Sequence, residues 1–205
     1  RSSRGLGDVY KRQIVSDMQR RLAAAEKPVI LLGGTRWTED SARAVESFAT
    51  ANDVPVIAAF RFHDIIDNGC PSYVGDAGVA MNGYMKSLLR DADLILALNI
   101  RFGEATTDGY TLFDAPRMAA ELIHSHASDD EIGKIYAPDL PIHAGPNAMA
   151  SALADMMLPE SKGRTDWCGG ARADYLASLV APSQPGDVDM GVITAHIQKM
   201  LSLIH

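Results

Sequence analysis

The feature that most constrains the fold is an alternation of short apolar runs with longer segments of helical period. Short apolar runs are typical of strands that are buried on both faces. Between them, apolar residues recur at steps of three or four, which indicates amphipathic helices. This order predicts an α/β fold: a doubly wound, Rossmann-like parallel sheet with helices on both faces. The predicted strands are residues 29–32, 54–59, 94–98, 121–127 and 140–144, and the predicted helices are 14–26, a segment capped by Thr38, 80–89 and 147–158.

Composition excludes several classes of protein. The chain has 205 residues and a formal net charge of −7, which disfavours a nucleic-acid partner. Its longest apolar runs are far shorter than the roughly 20 residues that a membrane-spanning helix needs. Two cysteines with no motif around them indicate neither a disulfide framework nor a zinc site, so we expect a reducing, cytoplasmic compartment.

The two ends of the chain differ from the middle in composition and in the periodicity of their apolar residues. Residues 1–13 carry four basic residues and one acid and lack a helical or strand period. We predict a non-native leader at 1–13 and a non-native tail at 201–205, with disordered native tails as the alternative. Residues 14–160 form the predicted main domain. Residues 161–200, with predicted helices at 166–179 and 188–200, are predicted to be a linker and the truncated start of another domain.

Candidate ligand-binding residues follow two of the predicted strands, because ligands of open parallel sheets bind beyond the carboxyl ends of the strands. Gly33 and Gly34 follow the first strand and could admit a phosphate to a helix start, or could simply form a tight turn. Arg101 follows the third predicted strand. It could hold a phosphate, or it could pair with Glu104 or Asp108.

Three histidines lie on the last two predicted strands. His124 and His126 are two positions apart and therefore point to the same face, and His143 lies on the next strand. Two imidazoles and a carboxylate can bind a metal ion. The alternative is that these histidines form hydrogen bonds with the backbone or with a neighbouring carboxylate.

The order of five segments resembles the central domain of thiamine-diphosphate-dependent enzymes, in particular the acetolactate-synthase-like branch. These segments are EKPVILLGG, VPVIAAFR, YVGDAG, LLRDADLILALNIRFGEATTDGYTLF and LIHSHASDDEIGKIYAPDLPIHAG. The resemblance covers roughly residues 18–158. Residues from Trp167 onward are similar to the connection into the family's C-terminal domain.

The resemblance implies decarboxylation of a 2-oxo acid and transfer of the resulting carbanion equivalent to an acceptor. It places the residues that bind thiamine diphosphate and magnesium in other domains, so this chain would have no catalytic residues and would be inactive by itself. Gly75-Asp76-Ala77, with Asn99, only partly matches the family's magnesium motif. The full-length enzyme is expected to be a homo-oligomer, a dimer or tetramer.

In some branches of the family the central domain binds FAD or ADP, which makes FAD a possible cofactor and an empty remnant pocket the alternative. Where relatives carry aspartates, this chain has His124 and His126, and its arginine loop is reduced. A free-standing FAD- or ADP-binding module is the alternative function. The residues compatible with a nucleotide are Gly33, Gly34, Gly75, Gly78, Arg101 and Gly103.

Overall fold

The computed structural model describes residues 3–180, 182, 185–186 and 188–201. Its strands are β1 (Pro28–Leu32), β2 (Val56–Ala59), β3 (Tyr73–Ala77), β4 (Leu94–Leu98), β5 (Glu121–His126) and β6 (Leu140–His143). Its helices are α1 (Ser3–Ala24), α2 (Glu39–Ala51), α3 (Gly83–Asp91), α4 (Pro146–Leu153), α5 (Lys162–Ser178) and α6 (Met190–Leu201), with a short 3₁₀ turn at Asp129–Glu131.

The strands form one parallel sheet in the order β3-β2-β1-β4-β5-β6. The chain builds outward from β1 to β3 and then returns to add β4 on the other side of β1. This reversal makes the sheet doubly wound and puts the topological switch point between β1 and β4. The predicted fold class is confirmed.

Successive residues of the central strands pack into two separate hydrophobic cores, one on each face of the sheet, because side chains alternate between the faces. In β1, Ile30 and Leu32 pack with α1, α2 and α4, whereas Val29 and Leu31 pack with α3 and α5. All of β1 and β4 is buried. This double burial explains why both strands read as continuous apolar runs.

Helix α2 begins where the sequence predicts. The Thr38 hydroxyl accepts a hydrogen bond from the Ser41 amide at 3.2 Å, which satisfies one of the free amides at the helix start. Helix α1, in contrast, begins at Ser3 and includes most of the segment in which we found no helical period. The rest of the predicted leader, residues 1–2, and of the predicted tail, 202–205, lies outside the described residues.

Strand β3 was not predicted from the sequence. Its sequence, YVGDA, has Gly75 and Asp76 in the middle, and both residue types are depleted in strands. β3 is an edge strand of the sheet, where Gly75 takes a φ of +110° and the register against β2 shifts. A bulge at an edge explains how a strand tolerates these residues.

Helix α5 packs on the same sheet as the preceding elements. The Trp167 indole donates to the Pro28 carbonyl at 3.0 Å, and the Arg172 guanidinium donates to the Tyr73 carbonyl at 2.6 Å. Ala171 and Tyr175 join the core on the α3 side. The domain division at residue 160 stays a prediction, but α5 completes the cover of this face of the sheet.

Candidate functional site

A cleft opens at the carboxyl edge of the sheet, around the switch point. We call it the switch-point cleft. Its volume is about 720 Å³, and the loops after β1, β2, β4 and β5 line it. At the switch point, the segments that follow neighbouring strands lead to opposite faces of the sheet, and a crevice remains between them. The lining residues are Gly34–Arg36, Ala59, Phe60, Phe62, Asn99, Arg101, Gly103–Thr106 and His126–Ser128.

Packing against Asn99 determines the conformation of the loop after β1. Gly34 has a φ of +69°, and a Cβ built on it would lie 2.3 Å from the Asn99 carbonyl oxygen. The Asn99 amide group donates to the Thr35 carbonyl at 3.1 Å. Gly34 is therefore required by the approach of two loops to each other, independently of any ligand.

The start of α2 is poorly suited to a phosphate. Thr38 already caps the helix, and Glu39 and Asp40 occupy its first turn. Carboxylates at this position offset the positive end of the helix dipole, which would otherwise attract an anion. The structure therefore supports the tight-turn interpretation of the Gly33-Gly34 segment.

The predicted nucleotide-binding residues divide into two groups. Gly34, Arg101 and Gly103 line the switch-point cleft. A Cβ on Gly33 would lie 2.9 Å from the Ala59 Cβ, and one on Gly75 would lie 2.5 Å from the Tyr84 hydroxyl oxygen. Gly78 follows the edge strand β3, which β2 and β1 separate from β4. Binding roles for all six residues stay predictions.

Arg101 extends into solvent from the loop after β4. Its side chain is 74% exposed, and its Nε lies 3.8 Å from a Glu131 carboxylate oxygen. Of the two partners that the sequence analysis considered, Asp108 pairs instead with Lys86 at 2.6 Å. Arg101 is therefore only loosely held and can still bind an anion.

The histidines form hydrogen bonds with the backbone. His124 Nε2 donates to the Ile100 carbonyl at 3.1 Å, and His126 Nδ1 accepts from the Ser128 amide at 3.0 Å. His143 Nε2 lies 3.1 Å from the Ala127 carbonyl. Each of the three histidines thus contacts a backbone atom, as the backbone alternative expects. Burial lowers the pKa of His124, so its ring is neutral near pH 7.

A smaller cavity of about 200 Å³ adjoins the cleft on the α3 side of the sheet. We call it the inner cavity. Its lining includes three aromatic residues, Phe102, Tyr110 and Tyr136, and four polar residues, Arg101, His124, Glu131 and Lys134.

Arg36 in the cleft and Tyr136 in the inner cavity were not predicted from the sequence. Arg36 lies in the loop that follows a predicted strand, four residues after Leu32, so the rule that found Arg101 could have found it. Tyr136 lies in an irregular segment, and no pattern in the sequence indicates its position.

The structure also tests whether this chain could hold thiamine diphosphate. Gly75-Asp76-Ala77 lies within β3, at the edge of the sheet, whereas Asn99 follows β4, and two strands separate β4 from β3. Within the part of the chain that the structure describes, no three acidic, histidine or cysteine residues form a group that could hold a metal ion. The described residues therefore do not fit the diphosphate and its magnesium ion.

Comparison with known proteins identifies the family. Residues 15–153 match the family model of the thiamine pyrophosphate enzyme central domain, and the chain belongs to this family. An acetolactate synthase from Mycobacterium avium is 26% identical over 148 residues, which are 72% of this chain and 23% of that protein. A 3D-(3,5/4)-trihydroxycyclohexane-1,2-dione hydrolase from Geobacillus thermodenitrificans is 28% identical over 142 residues, 69% of this chain and 22% of that protein. A glyoxylate carboligase from Escherichia coli O157:H7 is 26% identical over 136 residues, 66% and 22% of the two chains.

The chain spans less than a quarter of the length of each of these three relatives. The described helices include none that is both long and apolar enough to cross a membrane.

Proposed function

We propose that this chain is the central, mainly structural domain of a thiamine-diphosphate-dependent enzyme that acts on 2-oxo acids. The observation that carries the proposal is the family match over residues 15–153 on a doubly wound sheet. In the proposed reaction the bond between the carboxylate carbon and the 2-oxo carbon breaks and carbon dioxide leaves. The electron pair left on the former 2-oxo carbon then forms a new bond to the carbonyl carbon of an acceptor, whose carbonyl π electrons move to its oxygen, which takes up one proton. Thiamine diphosphate would supply the electron sink for this chemistry, and the complete enzyme is proposed to be a transferase or lyase.

The role of this chain's own residues is to build a rigid platform. Both faces of the sheet are covered, by α1, α2 and α4 on one side and by α3 and α5 on the other. The described residues hold no site for the diphosphate and its magnesium ion, so other domains would supply those ligands. The isolated chain is then inactive, and the complete enzyme is proposed to be a homo-oligomer.

The test begins with the DNA on either side of the coding segment. The proposal expects the reading frame to continue into domains with an activating glutamate and a Gly-Asp-Gly…Asn-Asn motif. The full-length protein is then incubated with pyruvate or glyoxylate, thiamine diphosphate and magnesium, and carbon dioxide release is measured. Activity that depends on both cofactors supports the proposal. Comparable activity of the 205-residue chain alone would contradict the assignment of a structural role.

The oligomeric state is a separate measurement. Light scattering on the full-length protein should give a mass of at least two chains. A monomer that is fully active would refute the proposed assembly.

A further inference from the structure

The loop between β2 and β3 contains an Asn-Gly pair, in which the amide nitrogen is unhindered because glycine has no Cβ. Asn68 and Gly69 are both exposed. They occupy a tight turn, which the Cys70 amide closes by donating to the Asp67 carbonyl at 3.0 Å. In the described part of the chain, the Asn68 carboxamide forms no hydrogen bond. The side chain of Asn68 is therefore free to rotate toward the backbone.

The Gly69 amide has an acceptor for its proton. It donates to a carboxylate oxygen of Asp67 at 2.8 Å. A carboxylate in this position can act as a general base, which removes the proton as the nitrogen attacks an electrophilic carbon. The Cγ atom of Asn68 is such a carbon. Its bond to the Gly69 nitrogen closes a small unstrained ring, so the attack needs only rotations within Asn68.

A guanidinium contacts the other end of the same peptide bond. Arg172, on α5, donates to the Asn68 carbonyl at 3.2 Å and to the Gly69 carbonyl at 3.3 Å. Loss of the Gly69 amide proton places negative charge on the Asn68 carbonyl oxygen, and a cation that contacts this oxygen stabilises the charge. The fold thus provides a base for the proton and a positive group for the charge that develops.

A second Asn-Gly pair, Asn82-Gly83, provides a comparison within the chain. Both residues are exposed, and the Asn82 side chain forms no capping hydrogen bond. The Asn82 carbonyl accepts from the Lys86 amide at 3.1 Å, which is a neutral donor. Within the described structure, no carboxylate accepts from the Gly83 amide. The same dipeptide therefore lies in two environments, and only the first provides a base and a cation.

We propose that Asn68 is a site of intramolecular deamidation that the fold promotes. The Gly69 nitrogen forms a bond to Asn68 Cγ, and its proton passes to the Asp67 carboxylate. The bond between Cγ and Nδ2 then breaks, and Nδ2 takes up this proton and leaves as ammonia. The cyclic imide that remains adds one water and opens at either of its carbonyls, which gives aspartate or isoaspartate. No group is oxidised or reduced.

The modification alters the attachment of α5 to the rest of the fold. Arg172 joins this helix to the carbonyls of Asn68, Gly69 and Tyr73. Isoaspartate lengthens the main chain by a methylene group directly before Gly69, so the two loop carbonyls cannot both keep their positions beside the guanidinium. We therefore expect faster hydrogen exchange of the α5 amides in the modified chain.

Incubation of the 205-residue chain at neutral pH, followed by peptide mapping with mass spectrometry, tests the proposal. Deamidation is detected as a mass gain of about 1 Da, and fragmentation distinguishes isoaspartate from aspartate. We expect Asn68 to react at least about 10-fold faster than Asn82, a conservative value for general-base catalysis.

Two variants separate the base from the rest of the loop. Asp67→Asn keeps an oxygen that can accept from the Gly69 amide but removes the base, so the reaction at Asn68 should slow by about 10-fold while Asn82 is unaffected. Asp64→Asn is the matched control, because it makes the same change elsewhere in the loop, and it should alter neither rate.

Two further measurements separate the fold from the local sequence. Arg172→Gln removes the cation and should also slow the reaction at Asn68, with folding verified by circular dichroism. In urea the two Asn-Gly pairs should react at equal rates, because the contacts with Asp67 and Arg172 are lost on unfolding.

Three outcomes would overturn the proposal. In the first, Asn68 reacts no faster than Asn82 in the folded chain. In the second, Asp67→Asn leaves the rate at Asn68 unchanged, and in the third, the preference for Asn68 persists in urea. Because none of these measurements depends on catalysis by the complete enzyme, they are independent of the proposed function.

Discussion

Replacing Arg164 by methionine should detach the start of α5 from the rest of the fold. Arg164 is 2% exposed, which is unusual for an arginine that has no carboxylate partner among the described residues. Its Nε donates to the Asn52 carbonyl at 3.1 Å, and its Nη2 donates to the Pro159 carbonyl. One guanidinium thus joins the end of α2, the segment after α4 and the first turn of α5.

The magnitude follows from these contacts. Hydrogen bonds to charged groups contribute about 1.5–3 kcal/mol each, and the substitution removes two. It also removes the cost of burying Arg164 Nη1, which has no partner among the described residues. Methionine keeps much of the apolar stem, so little packing is lost. We expect the free energy of unfolding to fall by about 2–4 kcal/mol.

Urea denaturation followed by circular dichroism measures this change, and hydrogen exchange localises it to the amides of α5. Arg43→Met is the matched control, because Arg43 is 57% exposed and pairs with two exposed carboxylates. Exposed pairs contribute roughly 0–1 kcal/mol, so the control should lose far less stability. If Arg164→Met is as stable as the original chain, burial of the charge outweighs its hydrogen bonds and the reasoning is refuted.

Three further predictions concern the site. Gly34→Ala should cost at least about 2 kcal/mol of unfolding free energy, because it adds a Cβ in a left-handed conformation 2.3 Å from the Asn99 carbonyl oxygen. Gly103→Ala is the control, since its Cβ would meet nothing within 4 Å, and equal losses would contradict the packing argument. Acidification should destabilise the chain through His124, because burial lowers the pKa of this histidine in the folded state. The contribution of the neutral ring to the free energy of unfolding is complete above pH 6.5, the ordinary pKa of histidine. It is lost as the pH falls from 6.5 toward the lowered pKa. Denaturation midpoints between pH 7 and pH 5 should fall less in His124→Gln, and parallel pH profiles would exclude this cause. Finally, the purified chain should carry no flavin absorbance and should not retain added FAD through gel filtration, because carboxylates occupy the start of α2; retention of FAD would favour the nucleotide-binding alternative.

The sequence alone determined the class of fold and most of its elements. Strands buried on both faces have to be continuously apolar, and β1 and β4 show that pattern without ambiguity. The cap at Thr38 depends on neighbouring residues only, so it was also predictable. The family resemblance was visible because it rests on the order of several local motifs along the chain.

Tertiary structure decided which of the predicted residues meet. Gly33 and Gly34 are neighbours in sequence, yet only Gly34 lines the cleft, because successive residues point in different directions. Gly75 lies on the edge strand β3, which could not be recognised from sequence because Gly75 and Asp76 are residue types that are depleted in strands. The pairing of Arg101 with Glu131, instead of a carboxylate closer in sequence, required the two loops to be brought together.

The inner cavity illustrates the same limit. His124 could be placed on a strand face from sequence. Which of its ring nitrogens lacks a partner among the described residues depends on the Ile100 carbonyl, which contacts the other nitrogen. Tyr136 reaches the cavity from an irregular segment whose course no periodicity encodes. Local patterns determine elements, whereas unsatisfied groups and the cavities between loops arise only when distant segments pack.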